Sequence, residues 1–403
     1  MSTSLLYHAF GVQGYIHQRS EYVGGEVHFT VEQPSRRLRC AVCQSRRVIR
    51  RGDRKRRFRG LPIGNRAVWI FLRVPRLECK ACGAVRQAEV PFAPGQHRYT
   101  KRFARYVLDL AHHMTMWDVA QHLGVSWNLV KALLKEDLER RFARPQLKDL
   151  RLVAIDEICI GRGHRYLTVV LDLETGVVVF VGDGKGIRAL DPFWKRLRRS
   201  RARIQAVALD MSQAYIRAVQ DNLPEAVMVF DHFHVVKLMN DKLADLRRQL
   251  QREAEAMEKE VLKGTRWLLV KNPENLDDNR SEGHRLQEAL ALNAPLAAAY
   301  YLKEDLRRLW NQPNKREAQR LLKDWIAQAR ATGIKQLGRM ANTLSLHREG
   351  LLAYYDVPIS TGPLEGTNTK IKLLQRQAYG YRDQEFFRLR IFALHETRYE
   401  LVG

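Results

Sequence analysis

Residues 152–158 read LVAIDEI, 166–173 YLTVVLDL and 177–181 VVVFV. Runs this short, rich in Val, Ile and Leu and separated by turn residues such as Gly161, Gly163 and Glu174-Thr175-Gly176, predict three strands of a buried sheet. Downstream, 187–199 predicts a helix, 204–209 (IQAVAL) a fourth strand, 212–223 a second helix and 226–230 a fifth strand. Two acids break into this apolar pattern: Asp156 sits within the first strand and Asp210 ends the fourth. A carboxylate in such a place is costly unless something compensates it, and a divalent cation shared by two neighbouring carboxylates does so. The plainer alternative is that Asp210 caps the following helix and Asp156 pairs with an arginine.

The order βββαβαβ is that of a ribonuclease H-like fold, whose first strand is central and carries a carboxylate of the site. A third acid is then expected on a later helix packed over the sheet. Residues 358–376, PISTGPLEGTNTKIKLLQR, supply one. Ser360, Thr361 and Pro363 mark a helix start, which sets Glu365 in the first turn with Asn368, Thr369 and Lys372 on the same side. A capping box would explain Glu365 without chemistry, but position 362 is Gly rather than Ser or Thr. Lys370, Lys372 and Arg376 around this acid suit phosphate contacts, while Glu157, Asp172, Asp231 and Glu385 remain rival carboxylates. Between the second and third acids, residues 235–355 carry helical periodicity and predict an all-helical insertion, with Trp267, Trp310 and Trp325 read as core. Cys159, alone in an apolar run, reads as a small buried hydrophobe.

The N-terminal third has a different character. CAVC at 40–43 and CKAC at 79–82 form two Cys-x2-Cys pairs; such turns each aim two sulfurs at one point, and four thiolates in a tetrahedron suit structural Zn2+. AVWIFLRVP at 67–75 predicts a strand leading into the second pair. From 100 to 142, Thr100, Thr115 and Ser126 each precede helical spacing, and Gly124 breaks the second stretch from the third. Ala120, Gly124 and Val130 hold the offsets of a helix-turn-helix, with Trp127, Asn128 and Lys131 on the exposed side of its second helix, placed to meet a DNA groove. Between Ser35 and Gly60 twelve arginines or lysines face one acid, Asp53, and Arg54-Lys55-Arg56-Arg57 is the densest stretch. The whole chain of 403 residues has a net charge of +25, which an ordinary metabolic enzyme does not need and a nucleic-acid partner does. With 45% hydrophobic residues the chain buries real cores, so global disorder is excluded; no apolar run long enough to span a membrane and no secretory signal is seen, which predicts a cytoplasmic protein without a membrane partner.

Taken in order, the two cysteine knuckles, the helix-turn-helix, AIDE around Asp156, ALDMSQAY around Asp210, FDHFHVVK around Asp231 and GPLEGTNTKIK…RQAYGYR around Glu365 resemble the DDE transposases of bacterial insertion sequences of the ISL-three family, over nearly the whole chain. The resemblance implies a multidomain α+β protein: a zinc-binding DNA-binding module (1–95), a helix-turn-helix (96–145), a first part of a ribonuclease H-like core (146–234), an all-helical insertion (235–355) and a last core part (356–403) carrying the catalytic Glu. It implies Asp156, Asp210 and Glu365 as a triad binding two Mg2+ or Mn2+ ions, Asp231 and His234 as a D-x2-H auxiliary pair, double-stranded DNA of the terminal inverted repeats and the target as partner, a homo-oligomer (dimer) on that DNA, and a place on the bacterial nucleoid. Two alternatives stay open: a ribonuclease H-like nuclease that does not transpose, and a zinc and helix-turn-helix transcription regulator.

Overall fold

The computed structural model describes residues 3–161, 164–254, 262–263 and 265–395, so Gly163 of the expected turn and part of the expected helix 235–263 lie outside the described residues. It divides into two compact units, Met1–Ala143 and Arg144–Gly403.

In the first unit a helix α1 (Thr3–Phe10) precedes five strands: β1 (Ile16–Val23), β2 (Glu26–Glu32), β3 (Val48–Ile63), β4 (Arg66–Cys79) and β5 (Val85–Gln87). The sheet runs β1-β2-β4-β3, with β5 pairing β4 beyond β2. β4 forms because its apolar residues alternate: Val68, Ile70, Leu72 and Val74 are all buried, against Phe10, Phe29, Phe58 and Phe92. The arginine run, which composition alone left without a structure, is strand β3 on that template. Strand geometry sends successive guanidiniums to opposite faces, which spreads the like charges apart. Helices α2 (Lys101–His113), α3 (Met116–Leu123) and α4 (Trp127–Phe142) complete the unit. Each starts on the expected cap: Thr100 Oγ1 accepts from Phe103 N at 3.0 Å, Thr115 Oγ1 from Asp118 N at 3.2 Å and Ser126 Oγ from Leu129 N at 3.3 Å. Such caps contribute about 1 kcal/mol each. Gly124, at φ 60°, takes the left-handed conformation that ends α3, which is why the break falls there.

The second unit is built on β6 (Leu152–Gly161), β7 (Arg165–Asp172), β8 (Val178–Asp183), β9 (Ala206–Leu209) and β10 (Val227–Phe230), in the order β10-β9-β6-β7-β8. β6, β7 and β8 pair antiparallel, while β9 and β10 run parallel to β6, so the first strand is central and the fold is ribonuclease H-like. α5 (Asp191–Ser200) and α6 (Gln213–Asn222) make the crossovers. Among its described residues the insertion is built of helices joined by loops, without a strand: α7 (His232–Glu253), α8 (Arg266–Val270), α9 (Glu282–Leu292), α10 (Ala294–Arg307), α11 (Lys315–Ala331), α12 (Lys335–Leu346) and α13 (Arg348–Leu352). The chain then returns to the sheet with α14 (Gly362–Gln377) and α15 (Gln384–Phe392). One sheet face, with Val153, Ile155, Val207 and Leu209, packs on α5, α6 and the insertion; the other, with Ala154, Ile158, Val169 and Ala208, packs on Leu364, Ile371, Leu374 and Phe387 of α14 and α15.

Two expectations about burial are corrected. Cys159 is exposed, because β6 alternates and its neighbours Ile158 and Ile160 take the buried side. Trp325 is buried and Trp310 half-buried, but Trp267 is 64% exposed at the start of the short α8, whose buried face is Leu268 and Leu269.

Candidate functional site

The parallel register of β6 and β9 matches Leu152 with Ala206, Val153 with Val207 and Ala154 with Ala208. Carried on two residues, the same offset sets Asp156 abreast of Asp210. The alternation of β6 puts Asp156 on the face of Ala154 and Ile158, beneath α14. There Asn368 Nδ2 donates to Asp156 Oδ2 at 2.9 Å, and farther along the helix Gln375 donates to the Ile160 carbonyl, so α14 lies along the central strand. The partner of Asp156 is thus this asparagine rather than the arginine of the plainer alternative. Burial pushes its carboxyl up to about 6, with the Asp210 charge adding to the rise and His234 opposing it. Asp210 accepts from Ser212 N at 2.9 Å through one oxygen, a turn at the head of α6, so the capping alternative is met by half of that carboxylate.

Glu365 is exposed in the first turn of α14, three residues before Asn368 and on the same face of the helix. Among the described residues only the four cysteines gather their ligating atoms within 4.8 Å, so the three acids do not close into so tight a cluster. Asp156, Asp210, Asn368 and His234 are the groups brought together; Glu365 stands one helical turn from Asn368.

The rival acids have other work. Glu157 points to the opposite face and accepts from the buried Tyr215 hydroxyl at 3.3 Å. Asp172 closes the β7–β8 turn, accepting from Glu174 N at 3.0 Å and from the Thr175 hydroxyl at 2.5 Å. Glu385 lies in the first turn of α15. Asp231, 2% exposed at the end of β10, accepts from Thr361 N at 3.2 Å and bonds His234 Nδ1 at 3.2 Å. Burial works to raise this carboxyl, but the bonds from His234 and Thr361 outweigh it and hold it below the usual range. The same bond holds His234 above its ordinary value against burial, helped by the charges of Asp156, Asp231 and Asp210. Because Thr361 is the cap of α14, Asp231 ties the edge of the sheet to the start of the helix that carries Glu365.

The donor set suits a hard cation. Asp156 and Asp210, near enough for the charge of one to raise the carboxyl of the other, offer carboxylate oxygens, and Asn368 Oδ1 is buried beside Asp156 without a hydrogen-bond partner.

The cysteine site is formed by two matching knuckles. Sγ of Cys40 lies 3.6 Å from Cys82 and Sγ of Cys43 lies 3.5 Å from Cys79. Thiolates 2.3 Å from a tetrahedral zinc stand about 3.8 Å apart, so the quartet has the size of a four-thiolate zinc site. Val42 N and Ala81 N each bond back to the first sulfur of their pair at 3.4 Å, and the turns close through Gln44 N to Cys40 O and Gly83 N to Cys79 O. The Cys79 thiol is held down at about 6, first by the backbone N–H of Cys82, which favours the thiolate a metal needs. The long span between the pairs is the β3–β4 hairpin, whose register ends by placing Val48 opposite Cys79.

On α4, Trp127 and Asn128 are exposed and Lys131 Nζ lies 5.7 Å from the Trp127 ring centre. Arg54, Lys55 and Arg57 are exposed and Arg56 is half-buried on β3; Lys370, Lys372 and Arg376 are exposed along α14. Arg59 differs from the rest of its run. It is 8% exposed, its Nη2 donates to the Leu123 carbonyl at 2.8 Å, and its guanidinium lies over the Trp69 and Phe103 rings at 5.3 and 5.8 Å. It therefore fastens the C-terminal end of α3, next to the turn at Gly124, onto the zinc-bearing sheet. Nothing in its composition set Arg59 apart from its neighbours; its register opposite Trp69 would have done so.

Family models match in the same order along the chain. A zinc finger of the transposases of IS204, IS1001, IS1096 and IS1165 covers residues 36–82, the helix-turn-helix domain of transposase family ISL3 covers 88–137, and the ISL3 DDE transposase domain covers 153–391. The transposase for insertion sequence element IS1001 of Bordetella parapertussis is 34% identical over 95% of this chain and 96% of its own length. The transposase for IS1557 of Mycobacterium tuberculosis is 31% identical over 88% of this chain and 84% of its own. Among solved structures, the Drosophila P element transposase strand transfer complex aligns at a TM-score of 0.40 and 12% identity, covering 75% of this chain and 94% of that one. With three family models laid end to end and identity sustained through nearly the full length, the chain belongs to the ISL3 family of insertion-sequence transposases, DNA-binding enzymes of strand cleavage and strand transfer.

Proposed function

We propose that Asp156, Asp210 and Glu365 are the catalytic triad of this transposase. The observation that carries the reading is the parallel register of β6 and β9, which, continued two residues, brings Asp156 level with Asp210 just past the end of β9, beneath the helix that bears Glu365. Divalent ions held by these acids would supply Lewis-acid activation of a water or 3′-hydroxyl and neutralise the departing oxygen. The residues of the chain set the stage. Asn368 fixes the rotamer of Asp156, Asp231 anchors the start of α14, and His234 offsets the negative charge of the paired acids. Lys370, Lys372 and Arg376, exposed along α14, are suited to hold the phosphates flanking the scissile bond.

The remaining assignments follow the modules. The zinc module (1–95) and helix-turn-helix (96–145) bind the terminal inverted repeats, with Trp127, Asn128 and Lys131 at the groove. The core parts (146–234 and 356–403) do the chemistry on either side of the insertion (235–355). Two copies synapse both ends as a homodimer, on nucleoid DNA in a bacterial cytoplasm. No helix among the described residues is long and apolar enough to cross a membrane.

The test is a Mg2+-dependent nicking and joining assay on duplexes carrying the insertion-sequence ends. Asp156→Ala, Asp210→Ala and Glu365→Ala are each expected to lose activity on the order of a thousandfold, the scale of removing a metal-held transition-state charge, while binding the ends as the parent does. Strand transfer retained by Asp210→Ala would sink the assignment.

A further inference from the structure

A groove of about 800 Å3 opens in the first unit between the β3–β4–β5 surface and the segment leading to α2. Arg54 and Arg56 of β3, Arg76 of β4, Arg86 of β5 and Lys101 of α2 line it, against a single acid, Glu89. The alternation of β3 explains the sorting. Arg54, Arg56 and Phe58 share one face; Phe58 is in the core, and the two arginines continue that face beyond the point where the core ends. Lys55 and Arg57 point the other way, opposite Arg73 and Phe71.

The cations are free to take a ligand. Arg54, Arg76, Arg86 and Lys101 are exposed, and none has an acidic partner among the described residues. Glu78, the acid of the adjoining strand, is already taken by Arg51 at 2.6 Å and Lys80 at 3.1 Å. Arg56 is braced, donating to the His97 carbonyl at 2.9 Å and lying 4.7 Å from the Phe58 ring centre. The groove also has direction: Ala41 and Val42 of the first zinc knuckle border it, and Lys101, the first residue of α2, borders it too.

We propose that this groove is a DNA-backbone channel, in which one strand's phosphates run from the zinc knuckle to the start of α2 along Arg54, Arg56, Arg76, Arg86 and Lys101. The proposal rests on the reading of the chain as a transposase that binds insertion-sequence ends, and gives its zinc module a defined phosphate track. A small-molecule site would be concave and mostly apolar with few polar groups. Here five cations strung over four elements stand above a floor of small apolar residues such as Ala88, Val90 and Ala93, and a row of that kind suits a polymer carrying a phosphate about every 3.4 Å of helix axis per strand.

The experiment is equilibrium binding of the full chain to an insertion-sequence end duplex and to an unrelated duplex, from roughly 50 to 200 mM salt. The variants are Arg76→Ala/Arg86→Ala and the charge-keeping Arg76→Lys/Arg86→Lys, matched to the parent for zinc content and thermal melting. The alanine pair is expected to weaken both duplexes by a similar factor, about tenfold, and to flatten the log–log salt slope by about 1.8, the release of two phosphate contacts. The lysine pair is expected to keep the slope. Unchanged affinity and slope in the alanine pair overturns the channel, as does a loss confined to the end duplex, or full competition by millimolar inorganic phosphate, which marks a small-anion site. Failure of the parent chain to prefer the end duplex strikes at end recognition instead, and the unrelated duplex still decides the groove.

Discussion

Arg59 and Arg57 lie two residues apart in one run, yet the structure gives them opposite duties. Arg59 is buried against Trp69, Phe103 and the Leu123 carbonyl, whereas Arg57 is exposed with its guanidinium 4.6 Å from the Trp69 ring centre. Arg59→Ala is expected to destabilise the first unit by about 2 kcal/mol, the scale of a lost charged hydrogen bond, with faster amide exchange in α3 and α4. Arg57→Ala should leave stability within about 0.5 kcal/mol and weaken DNA binding. Asp156 offers a second prediction at this scale. Its folded carboxyl, raised from 3.8 to about 6, binds its proton more tightly than the unfolded one, so the contribution of Asp156 to the stability of the metal-free protein falls as pH climbs through that window and changes no further above it. Asp156→Asn should therefore be the more stable protein in chelator at pH 7.5, by about 3 kcal/mol, with the gap narrowing toward pH 4. Added Mg2+ should stabilise the parent and not the variant; denaturant melts across pH check both.

At the scale of elements, the helices and strands were legible wherever a local signal was strong. The caps at Thr100, Thr115 and Ser126 and the left-handed glycine at 124 fix three helices by bonds within four residues. The five strands of the second sheet announce themselves by apolar runs. β3 was not legible, since its arginines carry no apolar alternation and its extended form comes from pairing with β4. The same dependence on partners misplaced Cys159 and Trp267. A prediction belongs to α4: Trp127→Ala and Asn128→Ala should each cost about 1–3 kcal/mol on the end duplex and little on unrelated DNA, as expected of groove contacts. Lys131→Ala, which removes an ammonium suited to a phosphate, should weaken both alike. Competition binding with mutated end sequences measures the split.

At the scale of the whole molecule, the two units have separate cores, the first around Phe58 and Ile70, the second on both faces of β6. Zinc binding is folding energy for the first unit alone. Stripping zinc, or Cys79→Ser, is expected to lower or abolish one thermal transition and end binding, while the transition that reports the second unit stays in place; unchanged zinc content in the cysteine variant would refute the four-thiolate site. The charge of +25 also resolves at this scale: part of it sits on β3 facing two ways, part in the groove, part along α14. What the sequence by itself determined is what local patterns encode: two knuckles, three capped helices, a ribonuclease H-like strand order and three acids, one within a strand, one at a strand end and one at a helix start. What only the tertiary structure decided is which side chains share a space. Asp156 meets Asn368, 212 residues away, and Asp231 meets Thr361, 130 residues away, through the packing of α14 on the sheet. Arg59 becomes a clamp and Arg76 a groove wall through the register of neighbouring strands. Such contacts depend on burial and register between distant segments, and no pattern within one segment carries them.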